Sequence, residues 1–504
     1  MDGPTPAGYT HLFWRYYINP ELLRAQAFIR EDGRPRAREE AEQGVLVTTY
    51  PARFRPGESD FEQLVFALKN EGVQLFALSR IFPHLNAHEL ATHIRAKPTS
   101  KYARRIFFLY ELLTATRLPL EDLTQGSYCD VLERDDYFTA EGVKSRRHRV
   151  VDNLLGDGSF CPTVRRTETL KAFAAKRLGY HASKIAESVD PKLLARATRF
   201  LYTKETKSSF EIEREDPGDR MERYVEQLRD IGSLPLRTQD GLTNLQNSLV
   251  DPRFADRGYR CAGDDEIYVG QTVGYREQVH HIGVNSEETP AMMAAWARMR
   301  EVTGEGGPVV EAACRSFSFV FIHPFSDGNG RIHRLLLHHV LARRGYLPGH
   351  LVVPISSVIV EDMQAYDATL EDFSTRAMHR SEVDYSLDED GRLHLSRQRT
   401  EQFRFPDLTV QAESTFKWLA RAIEVDLPRE LEFLLKFDEV VREVRGVVEM
   451  PDRLERLFVR LTMQNRGRLS KKKRKHFEVL DDATIQRLEE VVCRVLEAGP
   501  TPRD

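Results

Sequence analysis

Two apolar runs, residues 312–322 and 335–341, stand on either side of twelve residues that a continuous helix does not readily cross. Those twelve, residues 323–334, read His-Pro-Phe-Ser-Asp-Gly-Asn-Gly-Arg-Ile-His-Arg. Pro324 resists helix continuation, and Gly328 and Gly330 tolerate positive φ. The chain is therefore expected to form a helix–turn–helix corner here. The turn carries more chemistry than a corner needs: an imidazole, a carboxylate, an amide between two glycines, and two guanidiniums three residues apart.

A Gly-Asn-Gly turn at a helix start presents successive backbone N–H groups and the positive end of the helix dipole, which together favour an anion. Arg331 and Arg334 project from the same side of that helix, and two guanidiniums beside an amide nest match a polyphosphate. Asp327 is placed to hold a divalent metal against those phosphates. His323, across the turn, is free to accept a proton from an incoming hydroxyl. Jointly these parts point to phosphoryl or nucleotidyl transfer, where positioning and charge neutralisation carry most of the catalysis. Taken singly each is ordinary: a helix-end histidine, a solvated arginine pair, a turn.

The stretch resembles the signature of the Fic family, H-x-F-x-[D/E]-G-N-G-R-x-x-R, at every defined position: His323, Phe325, Asp327, Gly328, Asn329, Gly330, Arg331 and Arg334. The resemblance implies a mainly α fold with a Fic-type helical core at about 235–380 and a β-hairpin flap at 266–284. Weaker similarity reaches back to about residue 200. It implies transfer of AMP from ATP, with Mg²⁺, to a Ser, Thr or Tyr hydroxyl of a target protein. By that analogy His323 is the base and Asp327 holds the metal. Gly328, Asn329 and Gly330 hold phosphates, Arg331 and Arg334 neutralise the β/γ end, and Phe325 anchors the loop. Residues 366–370 fall where the family lines its adenine pocket. Many members carry an inhibitory helix with the pattern [S/T]-x-x-x-E-[G/N], whose Glu pairs with the second motif arginine. Ser209 and Glu213 fit that pattern, while Arg214 stands where Gly or Asn is expected. Other readings are a Fic-type transferase of UMP, phosphocholine or phosphate, a de-AMPylase, or a non-catalytic interaction protein.

Around this core the chain divides into residues 1–165, a helical region of unreadable role, 166–234 with the inhibitory helix, and 381–504, a mostly helical module with a hairpin near residue 390. Residues 1–60 read as a short ordered segment and a solvated connection, and 119–165 as irregular. A net charge of −4 over 504 residues argues against a bulk nucleic-acid footprint. The basic run at 471–476 reads as a solvated loop, the alternative being contact with nucleic acid or an acidic partner. Five cysteines without a C-x-x-C pair suit free thiols and no zinc site. The paired histidines 280–281 and 338–339 lack metal-ligand spacing. No signal peptide and no apolar run of membrane-spanning length are evident, so a cytoplasmic protein is expected, with homo-oligomerisation left open.

Overall fold

The computed structural model describes residues 4–31, 38–42, 45–274, 276–349 and 351–497. After β1 (Thr5–Ala7) and α1 (Gly8–Arg15) come β2 (Ala25–Arg30), β3 (Arg38–Glu42) and β4 (Val45–Pro51). The helices α2 (Asp60–Asn70), α3 (Leu75–Ile81), α4 (Ala87–Ala96) and α5 (Lys101–Thr114) follow. Ser59, Asn86 and Ser100 cap α2, α4 and α5 by accepting first-turn N–H groups that have no partner inside the helix. The apolar stripes of these helices bury Leu64, Leu78, Phe82, Ile106 and Phe107 completely in one core.

Strands take up part of the solvated connection expected within residues 1–60, while its residues 32–37 lie outside the described residues. The strands pair in the order β1-β2-β4-β3, with β2 and β4 parallel and Ala25 opposite Leu46. The Ala-Gln-Ala-Phe-Ile-Arg of β2 and Arg-Glu-Glu-Ala-Glu of β3 lack strict alternation of apolar and polar residues, and only the Val-Leu-Val-Thr-Thr-Tyr-Pro run of β4 carries strong β-formers. Within 119–165, otherwise irregular, three short strands β5 (Cys129–Asp130), β6 (Val143–Ser145) and β7 (Val150–Asp152) pair in the order β5-β7-β6.

The helices α6 (Glu168–Ala175), α7 (Leu178–Glu187), α8 (Pro191–Ile212), α9 (Arg220–Arg229) and α10 (Gln239–Leu249) lead to a hairpin, β8 (Tyr268–Val273) and β9 (Arg276–Ile282), in the span expected for the flap. Its register sets Tyr268 opposite Ile282, with a bulge after Val269. Then come α11 (Thr289–Ala297), α12 (Gly307–Ile322), α13 (Asn329–Arg343), α14 (Ile355–Glu361) and α15 (Met363–Ala377). A second hairpin, β10 (Val383–Leu387) and β11 (Leu393–Gln398), precedes α16 (Glu401–Arg404), α17 (Thr409–Arg421), α18 (Leu427–Val447), α19 (Asp452–Gln464) and α20 (Asp482–Glu497). The two hairpins share a small core of Ile282, Val383 and Leu393, and Glu266 bridges to Leu393.

The chain splits into two compact units. One comprises Met1–Arg177, Thr206–Tyr346 and Ile359–Lys417 and contains the whole 323–334 motif. Its centre is the α12–α13 pair, which is buried on nearly every side although it carries Glu311, Arg315, Arg331, His333 and Arg334. Fully buried Glu311 on α12 accepts from Arg315, Arg237, Arg343 and Arg344, so it ties α12 to the end of α13. The other unit comprises Leu178–Glu205, Leu347–Val358 and Trp418–Asp504. Its principal core lies among α18, α19 and α20, around Val440, Val444, Phe458, Leu488 and Val492. No helix among the described residues is long and apolar enough to cross a membrane.

Candidate active site

His323 ends α12 in the left-handed region, φ 57° and ψ 60°. That conformation costs a non-glycine residue roughly 1 kcal/mol. Local bonds hold it there: His323 N donates to Phe319 O at 3.0 Å, and the ring Nδ1 donates to Val320 O at 3.1 Å. A protonated Nδ1 leaves Nε2 with its lone pair bare, as a general base requires. Burial first, and then the neighbouring His281 and Arg260, push this imidazole down to about 3, so it is neutral at pH 7.

Arg260 was not legible in the sequence. Its Nε and Nη2 donate to His323 O at 3.0 and 2.9 Å, and Nη2 also donates to Val284 O at 2.7 Å. Its backbone N donates to Pro324 O, and Nη1 pairs with Glu266, which in turn accepts from Ser286 N and Oγ. One guanidinium thus joins the backbone of the 323–334 turn to the base of the hairpin. Gly283 permits this closeness, since a Cβ there would lie 2.8 Å from His323 Cβ and 3.0 Å from Ile322 O. His281 is structural: its buried ring bonds Phe321 O and Ser374 Oγ.

The turn is shaped by side chains that bind its own backbone. Asn329 uses Oδ1 to accept from Phe325 N at 3.1 Å and Nδ2 to donate to Phe325 O at 2.8 Å. Its side chain is therefore engaged in holding the loop, leaving its backbone N–H at the head of α13. Phe325 is fully buried. Ser326 N and Oγ donate to Asp256, and Gln246 Nε2 donates to Asp327 O. Gly328 has the positive φ expected of it, 85°, as the residue before α13. Gly330 does not: it is helical, and the reason for glycine is space. A Cβ at Gly330 would fall 2.2 Å from Glu213 Oε1.

Glu213 lies over the first turn of α13. Arg334, 1% exposed, donates Nη2 to Glu213 Oε1 at 2.7 Å and to Ser209 O at 2.8 Å, and Nε to Ser209 Oγ at 2.9 Å. Ser209 Oγ accepts from Tyr224 as well. Burial by itself would lower the Arg334 pKa, but Glu213, Tyr366 and Tyr224 outweigh it and raise it. Glu213 is placed by the way α8 ends. Glu215 N donates to Phe210 O and Arg214 N to Glu211 O, the two bonds of a Schellman cap, with Arg214 at φ 57°. Glu215 reaches the other motif arginine: its Oε2 accepts from Arg331 Nη1 at 3.1 Å and from Arg220 at 2.7 Å. Arg331 also donates to Leu249 O and to Asp327 Oδ1. Tyr366 is buried beside Arg334, and burial foremost pushes its phenol up to about 12.

Asp327 spends Oδ1 on Arg331 and on Gly328 N, while Oδ2 takes no hydrogen bond among the described residues. No cluster of three or more His, Cys, Asp or Glu suited to a metal occurs among the described residues. One open carboxylate oxygen next to an anion-favouring helix start is the donor set Mg²⁺ uses when phosphate oxygens and water supply its remaining ligands. The residues fit such an ion.

Residues 238–341 match the model of the Fic/DOC family. The chain is similar to the protein adenylyltransferase Fic of Aedes aegypti, 56% identical over 41 residues, which is 8% of each chain. It is similar to protein adenylyltransferase fic-1 of Caenorhabditis briggsae, 37% identical over 70 residues, 14% of this chain and 13% of that one. The matched stretches thus span a small part of these relatives' length. A crystal structure of a Fic family protein from Desulfovibrio desulfuricans G20 aligns with a TM-score of 0.39 and 18% identity, covering 59% of this chain and 87% of that one. Residues 238–341, which carry the full signature on a turn between α12 and α13, are thus the part of the chain that matches the Fic/DOC family.

Proposed function

We propose that the chain is a protein adenylyltransferase that moves AMP from ATP to a Ser, Thr or Tyr hydroxyl of a target protein, and that Glu213 restrains it. One observation carries the reading. A carboxylate already sits where the helix start and Arg334 converge, 2.7 Å from the guanidinium, opposite a neutral histidine with a bare Nε2. A site that orders one anion this way suits a phosphate in its place.

In the proposed reaction His323 Nε2 accepts the target hydroxyl proton. The hydroxyl oxygen forms a bond to the α-phosphorus, the bond from that phosphorus to the bridging oxygen breaks, and pyrophosphate leaves. The backbone N–H groups at the head of α13 bind the phosphates, with Arg331 and Arg334 neutralising their charge. Asn329 keeps the loop in shape through Phe325, and Arg260 orients the base through its carbonyl. Asp327 would hold Mg²⁺, which when bound supplies further charge neutralisation. The hairpin would align the target segment by main-chain pairing. Ser209 and Glu213 together occupy Arg334, and ATP must displace Glu213 to use it.

The test is protein-bound label from ATP marked at the α- or γ-phosphate. Glu213→Gly should raise α-label in auto-modification about tenfold, the effect of some 1.4 kcal/mol, and His323→Ala should abolish it. Retention of γ-label alone would make the protein a kinase. Label unchanged in Glu213→Gly would remove Glu213 from the mechanism, and no label in any variant would favour the interaction protein.

A further inference from the structure

The second unit carries a surface that its own folding does not explain. Between Asp452 and Glu478 the one acidic residue is Glu455, and it is buried and taken by Arg445. On α19, Arg453, Arg456 and Arg460 are exposed at i, i+3 and i+7, opposite the buried Phe458, Val459 and Thr462. A helix presents such positions as one stripe, here running toward the loop that starts at Asn465. The loop adds exposed Arg466, Arg468, Lys471, Lys472, Lys473 and Lys475.

None of these nine cations makes an ion pair among the described residues, whereas Lys436, Arg445, Arg474 and Arg494 of the same unit do. The loop is also ordered. Phe477 is fully buried edge-on against Phe458 at 5.3 Å, Leu469 N donates to Glu489, and Asn465 Nδ2 donates to Arg468 O. Gly467 lets the turn lie on α20, because a Cβ there would meet Cys493 Sγ at 2.4 Å. Arg474 faces inward, onto Phe477 O, Leu480 O and Asp482. The lysines beside it have no such internal task.

Like charges three and four residues apart oppose folding, so a pinned, unpaired cationic face suits an anionic partner. No Phe, Tyr or Trp ring is exposed between residues 453 and 479, which removes the main stacking platform that single strands use. We propose that this face binds the phosphate backbone of double-stranded nucleic acid without reading sequence. The chain's net charge of −4 does not weigh against this face, because the acids that balance it lie elsewhere in the chain.

The test is fluorescence anisotropy of the full chain with labelled 24-base-pair DNA and RNA duplexes. Wild type should bind a duplex at 50 mM salt and weaken about a thousandfold by 200 mM, the salt dependence of roughly six phosphate contacts. The variant R456E/R460E/K472E/K473E, with folding checked by circular dichroism, should lose at least about tenfold and show a shallower salt slope. Lys192→Glu should bind as wild type does. Should the fourfold variant not fold, Lys472→Ala with Lys473→Ala, two side chains without internal contacts, should still weaken binding. Duplex affinity unchanged in the folded charge-reversal variant would overturn the proposal. So would tighter binding to phosphatidylserine vesicles or polyglutamate than to either duplex at equal salt.

Discussion

Arg214 shows what a single backbone angle can decide. The sequence pattern offers Gly or Asn after its Glu, and Arg214 departs from it. The structure supplies the reason for the pattern: this residue is the left-handed position of the cap that ends α8, at φ 57°. Gly and Asn tolerate that angle, and arginine adopts it at a cost of roughly 1 kcal/mol. Arg214→Gly should therefore stabilise the helix end by about 1 kcal/mol in denaturant titrations. On the proposed brake it should also populate the restrained state more and lower auto-modification severalfold. Equal stability and equal activity in that variant would separate the cap from the restraint. Ser209 and Glu213 were legible because the pattern names them. Glu215, which engages Arg331, was not, because no spacing distinguishes a second acid in a charged segment.

At the scale of elements, the corner between α12 and α13 and both hairpins could be read from apolar runs, β-formers and turn residues. The segments that hold the corner in place could not. Gln246 lies on α10, where it is fully buried beside Leu242, Leu245 and Leu249, and a polar side chain in such a position gives no sign of its burial in the sequence. Arg260 lies in a loop without periodicity, and its acceptors are 24 and 63 residues away in the chain. Such partners are chosen by tertiary packing, and local pattern does not reveal them. The hairpin base touches His323 only because Gly283 has no side chain. Gly283→Ala should lower the rate of target modification at least about tenfold by displacing the hairpin from the base. ATP affinity should hold, since the head of α13 lies on the far side of the turn. Titration calorimetry with ATP beside a modification assay checks this, and loss of both would assign Gly283 to folding alone.

For the whole molecule, the α-rich character was legible and the interleaving of the units along the chain was not. Single helices, α8 and α17, supply residues to both units, and sequence order does not expose such sharing. Three buried imidazoles, His333 and His339 on α13 and His281 on β9, also set an acid limit. Burial foremost pushes His281 and His339 down to about 4 and His333 down to about 3. Each is neutral when folded and takes up a proton when unfolded below about pH 6.5. Folded pKa values that are depressed mean stability present at pH 7 and lost as pH falls toward 4. Three such groups give a slope of roughly 4 kcal/mol per pH unit near pH 5. Denaturant midpoints measured from pH 7 to 4.5 should fall steeply below pH 6, and a flat profile would mean these rings are already charged.

The carboxylate over α13 has one more consequence. On the proposed brake, Glu213 is an inhibitor covalently joined to its own enzyme, present at one copy per site whatever the protein concentration. Tethered groups of this kind act at effective concentrations of about a millimolar or more. Dilution and dialysis leave such restraint untouched, and specific activity should not change as the protein is diluted. Any activator must then work on the end of α8, or arrive as enough ATP to outcompete a ligand that never leaves.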